Sequence, residues 1–222
     1  MRRRVVIVAV FLLAAAIAGA ADELVVEDWK DKIGATGIPS GWQGQSWGSP
    51  KYDFAIVSND NHKVLQLRSA NEGSTISKDI KGKVNLKETP ILEWTWKVTA
   101  LPRGGNSCKK ATDDQAGQIF VVWPRFPEAV RSRIIGYVWD STLPVGTSCK
   151  SKKSGTVTYV VVRSGPADLG KWLTERRNVA EDFKKIYNED VEPPSAISVA
   201  IDSNDTQSTA ESFIGPIFFR KP

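Results

Sequence analysis

The sequence predicts an all-β fold, an antiparallel β-sandwich carrying one short helix near residues 179–188. Three observations carry that expectation. Short runs of β-branched and aromatic residues recur along the chain, separated by turn formers such as Ser58-Asn59-Asp60-Asn61 and Leu101-Pro102-Arg103-Gly104-Gly105. Residues 91–98 alternate with the two-residue period of a half-buried strand, with Leu92, Trp94, Trp96 and Val98 on one face and Glu93, Thr95 and Lys97 on the other. A single segment, starting at Asn178, has a good helical pattern.

The chain opens on Met1-Arg2-Arg3-Arg4, runs through uncharged apolar residues from Val5 to Ile17, and reaches Ala18-Gly19-Ala20 ahead of Ala21-Asp22. That order of basic, apolar and small residues is a secretory signal, with cleavage expected after Ala20. The apolar run is shorter than the roughly 20 residues that span a bilayer, so a retained anchor is the lesser reading. No later stretch is long and apolar enough to span. Residues 21–222 are then expected to fold as one sandwich domain, exported from the cytosol.

Strands are predicted at 24–26, 52–57, 63–68, 74–80, 90–98, 118–123, 133–139, 156–163, 196–201 and 213–219. Trp94 and Trp96 have aliphatic companions on their face, which favours packing over a sugar-stacking platform. The strand at 156–163 is apolar on both faces, Val157, Tyr159 and Val161 on one and Val160 and Val162 on the other, so it is predicted to be central and covered on both sides. In the helix, Asn178-Val-Ala-Glu181 has the form of a capping box, and Glu181 and Asp182 suit the positive end of the dipole. Val179, Phe183, Ile186 and Tyr187 form its apolar stripe, and Pro193-Pro194 are expected to stop it.

Composition excludes some functions. The net charge of +5 includes Arg2, Arg3 and Arg4 of the signal, and without those three it falls to +2. The lysines are scattered among carboxylates with no phosphate-tracking stripe, so a nucleic-acid partner is not expected. Only Cys108 and Cys149 are present, each in a polar, lysine-flanked loop, and in an exported chain they read as a disulfide. Two free thiols or a metal pair are the alternatives, and no nearby histidine supports the metal.

A series of ordered motifs then carries a resemblance. Leu92-Glu-Trp-Thr-Trp96, Asp113-Asp114-Gln-Ala, Gly136-Tyr-Val-Trp139 with Leu143-Pro-Val-Gly146, Val162-Arg-Ser-Gly165, Trp172-Leu-Thr-Glu-Arg-Arg-Asn178, Asp182-Phe183 and Asp202-Ser-Asn-Asp-Thr206 with Ala210-Glu211 follow one another along nearly the whole mature chain. Together they resemble the bacterial exported proteins of domain of unknown function 3047. The resemblance implies a jelly-roll-like sandwich similar to carbohydrate-binding and lectin-type domains, in the periplasm or outside the cell. It implies no activity, and the cysteine pair is not among its motifs.

The candidate ligand-binding residues are Asp113, Asp114, Glu175, Arg177, Asn178 and Asp205, at strand ends and connections, where sandwich proteins gather binding groups. One of Asp113 and Asp114 is read as an Asx-turn carboxylate, and the other as a partner for an arginine of the segment Glu175-Arg176-Arg177-Asn178. Trp42 and Trp47 share a Gly-flanked polar loop. Either ring could be exposed to stack on a pyranose, or one of them plugs the end of the core. Asp202, Asn204 and Asp205 supply oxygen ligands that suit calcium, but Gln207 and Phe213 occupy the EF-hand glycine and glutamate positions, so a hairpin turn is the favoured account and no cofactor is expected. His62, the only histidine, lies in a turn, and neither a serine-nucleophile motif nor a phosphate loop is present. The functional expectation is a non-catalytic domain that binds a saccharide or an envelope component. A glycan hydrolase or lyase built on paired carboxylates, and a structural or assembly protein of the envelope, are the alternatives.

Overall fold

The computed structural model describes residues 22–30, 37–59 and 62–222, so the signal segment predicted over 1–20 lies outside the described residues. The strands are β1 (Glu23–Glu27), β2 (Gln43–Gly44), β3 (Asp53–Asn59), β4 (His62–Ala70), β5 (Gly73–Asp79), β6 (Ile91–Ala100), β7 (Gly117–Trp123), β8 (Arg133–Asp140), β9 (Ser148–Lys150), β10 (Val157–Ser164), β11 (Leu173–Asn178), β12 (Ala196–Asp202) and β13 (Thr209–Arg220). Two helices, α1 (Glu128–Arg131) and α2 (Val179–Tyr187), and a 3₁₀ turn at Lys110–Thr112 complete the described elements.

The strands form two sheets packed face to face. One is six-stranded, in the order β11-β6-β13-β4-β3 with β1 also on β13; the other is seven-stranded, in the order β2-β5-β12-β7-β8-β10-β9. The alternation of β6 does what its pattern requires: Leu92, Trp94, Trp96 and Val98 are fully buried between the sheets. Trp96 meets Trp94 edge-on at 5.4 Å and Trp139 at 5.7 Å, and Trp94 meets Tyr137 at 5.6 Å. Burying one such ring removes about 200 Å² from water, an upper stabilisation of roughly 5 kcal/mol. Gly117 makes room for this cluster, since a Cβ there would sit 3.1 Å from the Trp96 ring.

β13 serves three neighbours because it is bulged. Its register against β6 shifts between Ile214 and Ile217. Before the shift its other edge pairs with β4, and after it with β1. At the bulge a Cβ on Gly215 would lie 2.0 Å from Thr95 Oγ1, so only glycine fits, and the carbonyl freed there accepts from the Trp29 indole at 2.8 Å.

Several features differ from the sequence expectation, which also had one helix where the described residues form two. Pairing is not antiparallel throughout, because β10 runs parallel to β8. The 16-residue connection 141–156 is long enough for that crossover, and β9 folds back on β10 as the new edge. β10 is accordingly next to the edge rather than central, though both of its faces are covered as its composition demands: Val160 and Val162 join the inter-sheet core, while Val157, Tyr159 and Val161 form a second cluster with Val138 on the outer face. β11 falls in a segment expected to be a connection. The helix ends at Tyr187, before Pro193-Pro194, because Asn188 adopts a left-handed conformation (φ 52°) that caps it through a hydrogen bond to Lys184 O. At its other end Asn178 Oδ1 accepts from the Glu181 amide at 3.2 Å, the cap its sequence predicts.

Candidate functional site

The outer face of the seven-stranded sheet carries a groove of about 580 Å³. Its floor follows from strand alternation. Ile119, Val121, Val199 and Ile201 point into the core, so Gln118, Phe120, Ala200 and Asp202 point out. Phe120 and Tyr159 approach to 6.4 Å across Gly136, where a Cβ would lie 2.6 Å from the Phe120 ring and 3.1 Å from the Tyr159 ring. Glycine at 136 is thus the vacancy that lets two aromatic rings pack on the open face. One side of the groove is the Trp47 loop, with the Trp47 ring 63% exposed. Gln45 fixes this loop, accepting from the Thr75 amide at 2.8 Å and donating to Trp47 O at 2.9 Å.

The opposite side is charged. Asp114 is fully buried, and its carboxylate accepts the backbone amides of Asp205 at 3.1 Å and Thr206 at 2.6 Å, tying residues 112–115 to the loop after β12. Asp113 accepts from Gln115 at 2.9 Å and from Ser151 at 3.3 Å, and burial raises it above the ordinary carboxyl value despite those bonds and the Lys153 charge. Lys153 is ion-paired to Asp205. Burial would lower the Lys153 ammonium, but the Asp205 hydrogen bond and the charges of Asp202, Asp205 and Asp113 outweigh it and raise it. The Cys108–Cys149 disulfide, with its Cα atoms 5.8 Å apart, pins this side down, because Cys149 is the register partner of Tyr159 and shares the outer face with it.

Asp202 lies on the groove floor opposite Gly73, whose missing side chain leaves room for the carboxyl. Burial first, and then the Asp114 charge, push it from 3.8 up to about 8, with Lys153 opposing. The folded chain therefore holds this proton more tightly than the unfolded chain. The stability it contributes is complete below about pH 4 and is lost as pH rises to about 8. Asp202→Asn is neutral at every pH. Its unfolding midpoint relative to the native chain is expected to climb between pH 4 and 8 and to level off above, as thermal melts across that range would show.

The predicted site residues separate into two groups. Trp47 lines the groove, Asp113, Asp114 and Asp205 lie behind its charged side, connected to it through Lys153 and the loop after β12, and Glu175, Arg177 and Asn178 lie on β11. Trp42 is not a free ring: it is 6% exposed, stacks on Trp29 at 5.3 Å and donates its indole N–H to Glu27 at 2.7 Å. The pairing of Asp113 or Asp114 with an arginine of β11 is also corrected, because Arg177 binds Asp182 through two bonds of 3.0 and 2.6 Å and Arg176 binds Glu93 at 2.9 Å. Tyr137 donates to the same Asp182 at 2.8 Å, which ties α2 to the sheet. Glu175 accepts from the Trp96 indole at 3.1 Å and pairs with Arg163 at 2.5 Å. Asn178 is occupied as a helix cap. Around Asp202, Asn204 and Asp205 the positive charge is Lys153, and among the described residues no group of three or more His, Cys, Asp or Glu side chains is placed to hold a metal ion.

Phe120, Tyr159, Gln118 and Lys153 were not legible as site residues. Their signal is an aromatic or amide in the outward phase of an apolar strand, which becomes readable only once the buried phase is known.

A family profile described as "Protein of unknown function (DUF3047)" matches residues 40–218. The chain belongs to this family. No curated protein matches it. The DUF3047 sandwich is similar in fold to the family 11 carbohydrate-binding module of the cellulosomal cellulase Lic26A-Cel5E of Clostridium thermocellum, with a TM-score of 0.51, 8% identity, and coverage of 92% of this chain and 97% of that one. A second structure of the Clostridium thermocellum family 11 module, in complex with a β-1,3-1,4-mixed-linked tetrasaccharide, aligns with a TM-score of 0.49 and 10% identity over 91% of this chain and 98% of that one. Among the described DUF3047 residues no helix is long and apolar enough to cross a membrane.

Proposed function

We propose that the chain is an exported, non-catalytic carbohydrate-binding protein whose glycan occupies the groove on the outer face of the seven-stranded sheet. The observation that carries this reading is Trp47. The indole is 63% exposed beside a polar groove, and its flat apolar face suits the C–H face of a pyranose. Gln118, Asp202, Lys153 and Asn204 offer donors and acceptors to sugar hydroxyls, and Phe120 and Tyr159 offer a second apolar surface below. The fold shared with a carbohydrate-binding module supports the same ligand class. The disulfide and the signal pattern support export.

Binding without hydrolysis is favoured by what the neighbouring carboxylates already do. Retaining and inverting hydrolysis both need a second, free carboxylate beside the acid. Asp114 holds two backbone amides, Asp205 pairs with Lys153, Asp113 is buried on Gln115 and Ser151, and Glu72 pairs with Lys51 at 2.5 Å.

The test is titration of the oxidised chain with a panel of β-linked glucan and xylan oligosaccharides, followed by tryptophan fluorescence and thermal unfolding, with calcium and with chelator. One saccharide class is expected to raise the midpoint equally in both conditions. Trp47→Ala is expected to weaken that binding by about 2 kcal/mol, roughly thirtyfold, with the ligand-free melting curve unchanged. A panel without any response, or a Trp47→Ala chain that binds like the native one, overturns the reading.

A further inference from the structure

A second cavity, of about 740 Å³, opens where the two sheets part, between β9 and β10 of one, β11 of the other and α2. It shares no lining residue with the groove, and nothing in the argument for glycan binding depends on it. Here the inward phase of three strands turns from apolar to polar. In β10 it runs through Val162 and Val160 and then becomes Thr158, with Thr156 just before the strand. In β8 Trp139, Tyr137 and Ile135 are core, and the next inward position is Arg133. In β11 Leu173 packs on the core, and the next two inward positions are Glu175 and Arg177. Polar groups in such positions need polar partners, so what answers each of them decides what the cavity can hold.

The protein answers the carboxylates. Asp182 is held by Arg177 and Tyr137, and Glu175 by Arg163 and the Trp96 indole. Both bonds to Glu175 fall on Oε1, which leaves Oε2 with its acceptor capacity. Thr156 shares a hydrogen bond with Ser154 at 2.9 Å, and the buried Thr158 meets the Tyr187 hydroxyl, which donates to Ile134 O at 3.0 Å. The cations are answered less completely. Arg176 pairs with Glu93, and Arg133 binds Glu189 at 2.6 Å and lies over the Tyr187 ring at 5.0 Å, but the buried Arg133 Nε has no partner. Lys150, the register partner of Thr158, and Lys185 on α2 are exposed at the rim, and neither makes a salt bridge among the described residues. The unanswered charge at this opening is therefore positive, and it stands beside buried hydroxyls.

We propose that this cavity binds an acidic sugar, with its anionic group at Lys150, Lys185 and Arg133 and its ring hydroxyls at Thr158 and Glu175. Two rim lysines alone would suit any anion. The buried hydroxyl, the spare carboxylate oxygen and a volume within the roughly 300–1,000 Å³ usual for ligand pockets call for a ligand that carries several hydroxyls as well. A uronate and a sugar phosphate share that chemistry. Calorimetric titration of the full, oxidised chain distinguishes them, using cellobiose, cellobiose oxidised to the uronate at one C6, and cellobiose phosphorylated at the same C6. Each titration is repeated on Trp47→Ala, which weakens the groove and leaves this cavity intact.

At least one of the two acids is expected to bind both chains equally, the tighter one identifying the anionic group. On Trp47→Ala, cellobiose, which has the hydroxyls without the charge, is expected to bind at least roughly tenfold more weakly, as are acetate and inorganic phosphate, which have the charge without the hydroxyls. Reversing both rim charges with Lys150→Glu and Lys185→Glu is expected to weaken the acid by roughly tenfold, and Thr158→Val, which removes one hydroxyl at constant shape, by roughly fivefold. The charge reversal should leave the unfolding midpoint and the neutral-saccharide response of the groove unchanged. Cellobiose or inorganic phosphate binding Trp47→Ala as tightly as the acids, full affinity in the charge-reversed chain, or failure of both acids to bind overturns the proposal without touching the glycan reading.

Discussion

Asp114→Ala is expected to lower the stability of the fold by about 3 kcal/mol and to abolish the glycan response together with it. Asp114 is fully buried, and its two oxygens accept the amides of Asp205 and Thr206. No side chain can replace them from a residue that ends at Cβ. Each orphaned donor costs roughly 1–3 kcal/mol if it stays buried, and the loop after β12 can recover its bonds only by moving out to water. That loop carries Asp205, the ion-pair partner of Lys153, and Asn204, so its movement dismantles the charged side of the groove. In a domain of this size the loss corresponds to a fall in melting midpoint of about 6–12 °C. Asp114→Asn separates charge from geometry. It keeps one acceptor for the loop but removes the charge that helps to raise Asp202, so Asp202 should ionise at lower pH in that variant. Chemical denaturation and a carboxyl-resolved NMR titration read the two effects apart, and an Asp114→Ala chain as stable as the native one would show that the loop needs no such anchor.

Periodicity made the fold legible and left the site mostly unread. The strands at 91–98 and 156–163 declare their burial by alternation and by its absence, and the helix declares its cap and its stripe, because these patterns are local consequences of backbone geometry. β2, β9 and β11 are short or polar, so they carry no such pattern and exist only because a neighbouring strand offers an edge. Two of the candidate carboxylates, Asp113 and Asp114, are buried, but neither takes the arginine partner expected for one of them. Asp114 holds the loop at 203–206 and Asp113 bonds Gln115 and Ser151, neither of them meeting β11, and that choice is made by sheet order, which places β12 beside β7 and sends β11 to the other sheet. Trp42 and Trp47 lie five residues apart on either side of β2, and Trp42 turns inward onto the distant partners Glu27 and Trp29. Phe120, Tyr159 and Gly136 come from three strands, and their meeting on one face depends on the parallel β8–β10 pairing, which no local signal announces.

Reducing the Cys108–Cys149 bond is expected to cost about 4 kcal/mol, a fall in midpoint of roughly 8–16 °C, while leaving a folded sandwich at room temperature. The bond joins residues 41 apart in sequence, and closing a loop of that length in the unfolded chain accounts for the whole figure on the chain-entropy model. The folded state does not rely on it for contact. Ser107 donates from both its amide and its hydroxyl to buried Asp140, Asn106 donates to Thr142 at 3.0 Å, and Asp114 holds the other end of the same segment. Cys149, for its part, stays paired in register with Tyr159 through β9. If the effect is entropic, Cys108→Ser, Cys149→Ser and the double variant should lose the same stability as the reduced native chain, because any one of them opens the loop completely. A double variant that loses distinctly more than either single one would instead assign the cost to packing around the sulfurs on the outer face. The glycan response should survive in all three at temperatures well below their midpoints, since Trp47, Phe120 and Asp202 are positioned by β5, β7 and β12 and by Gln45, none of which the bond touches.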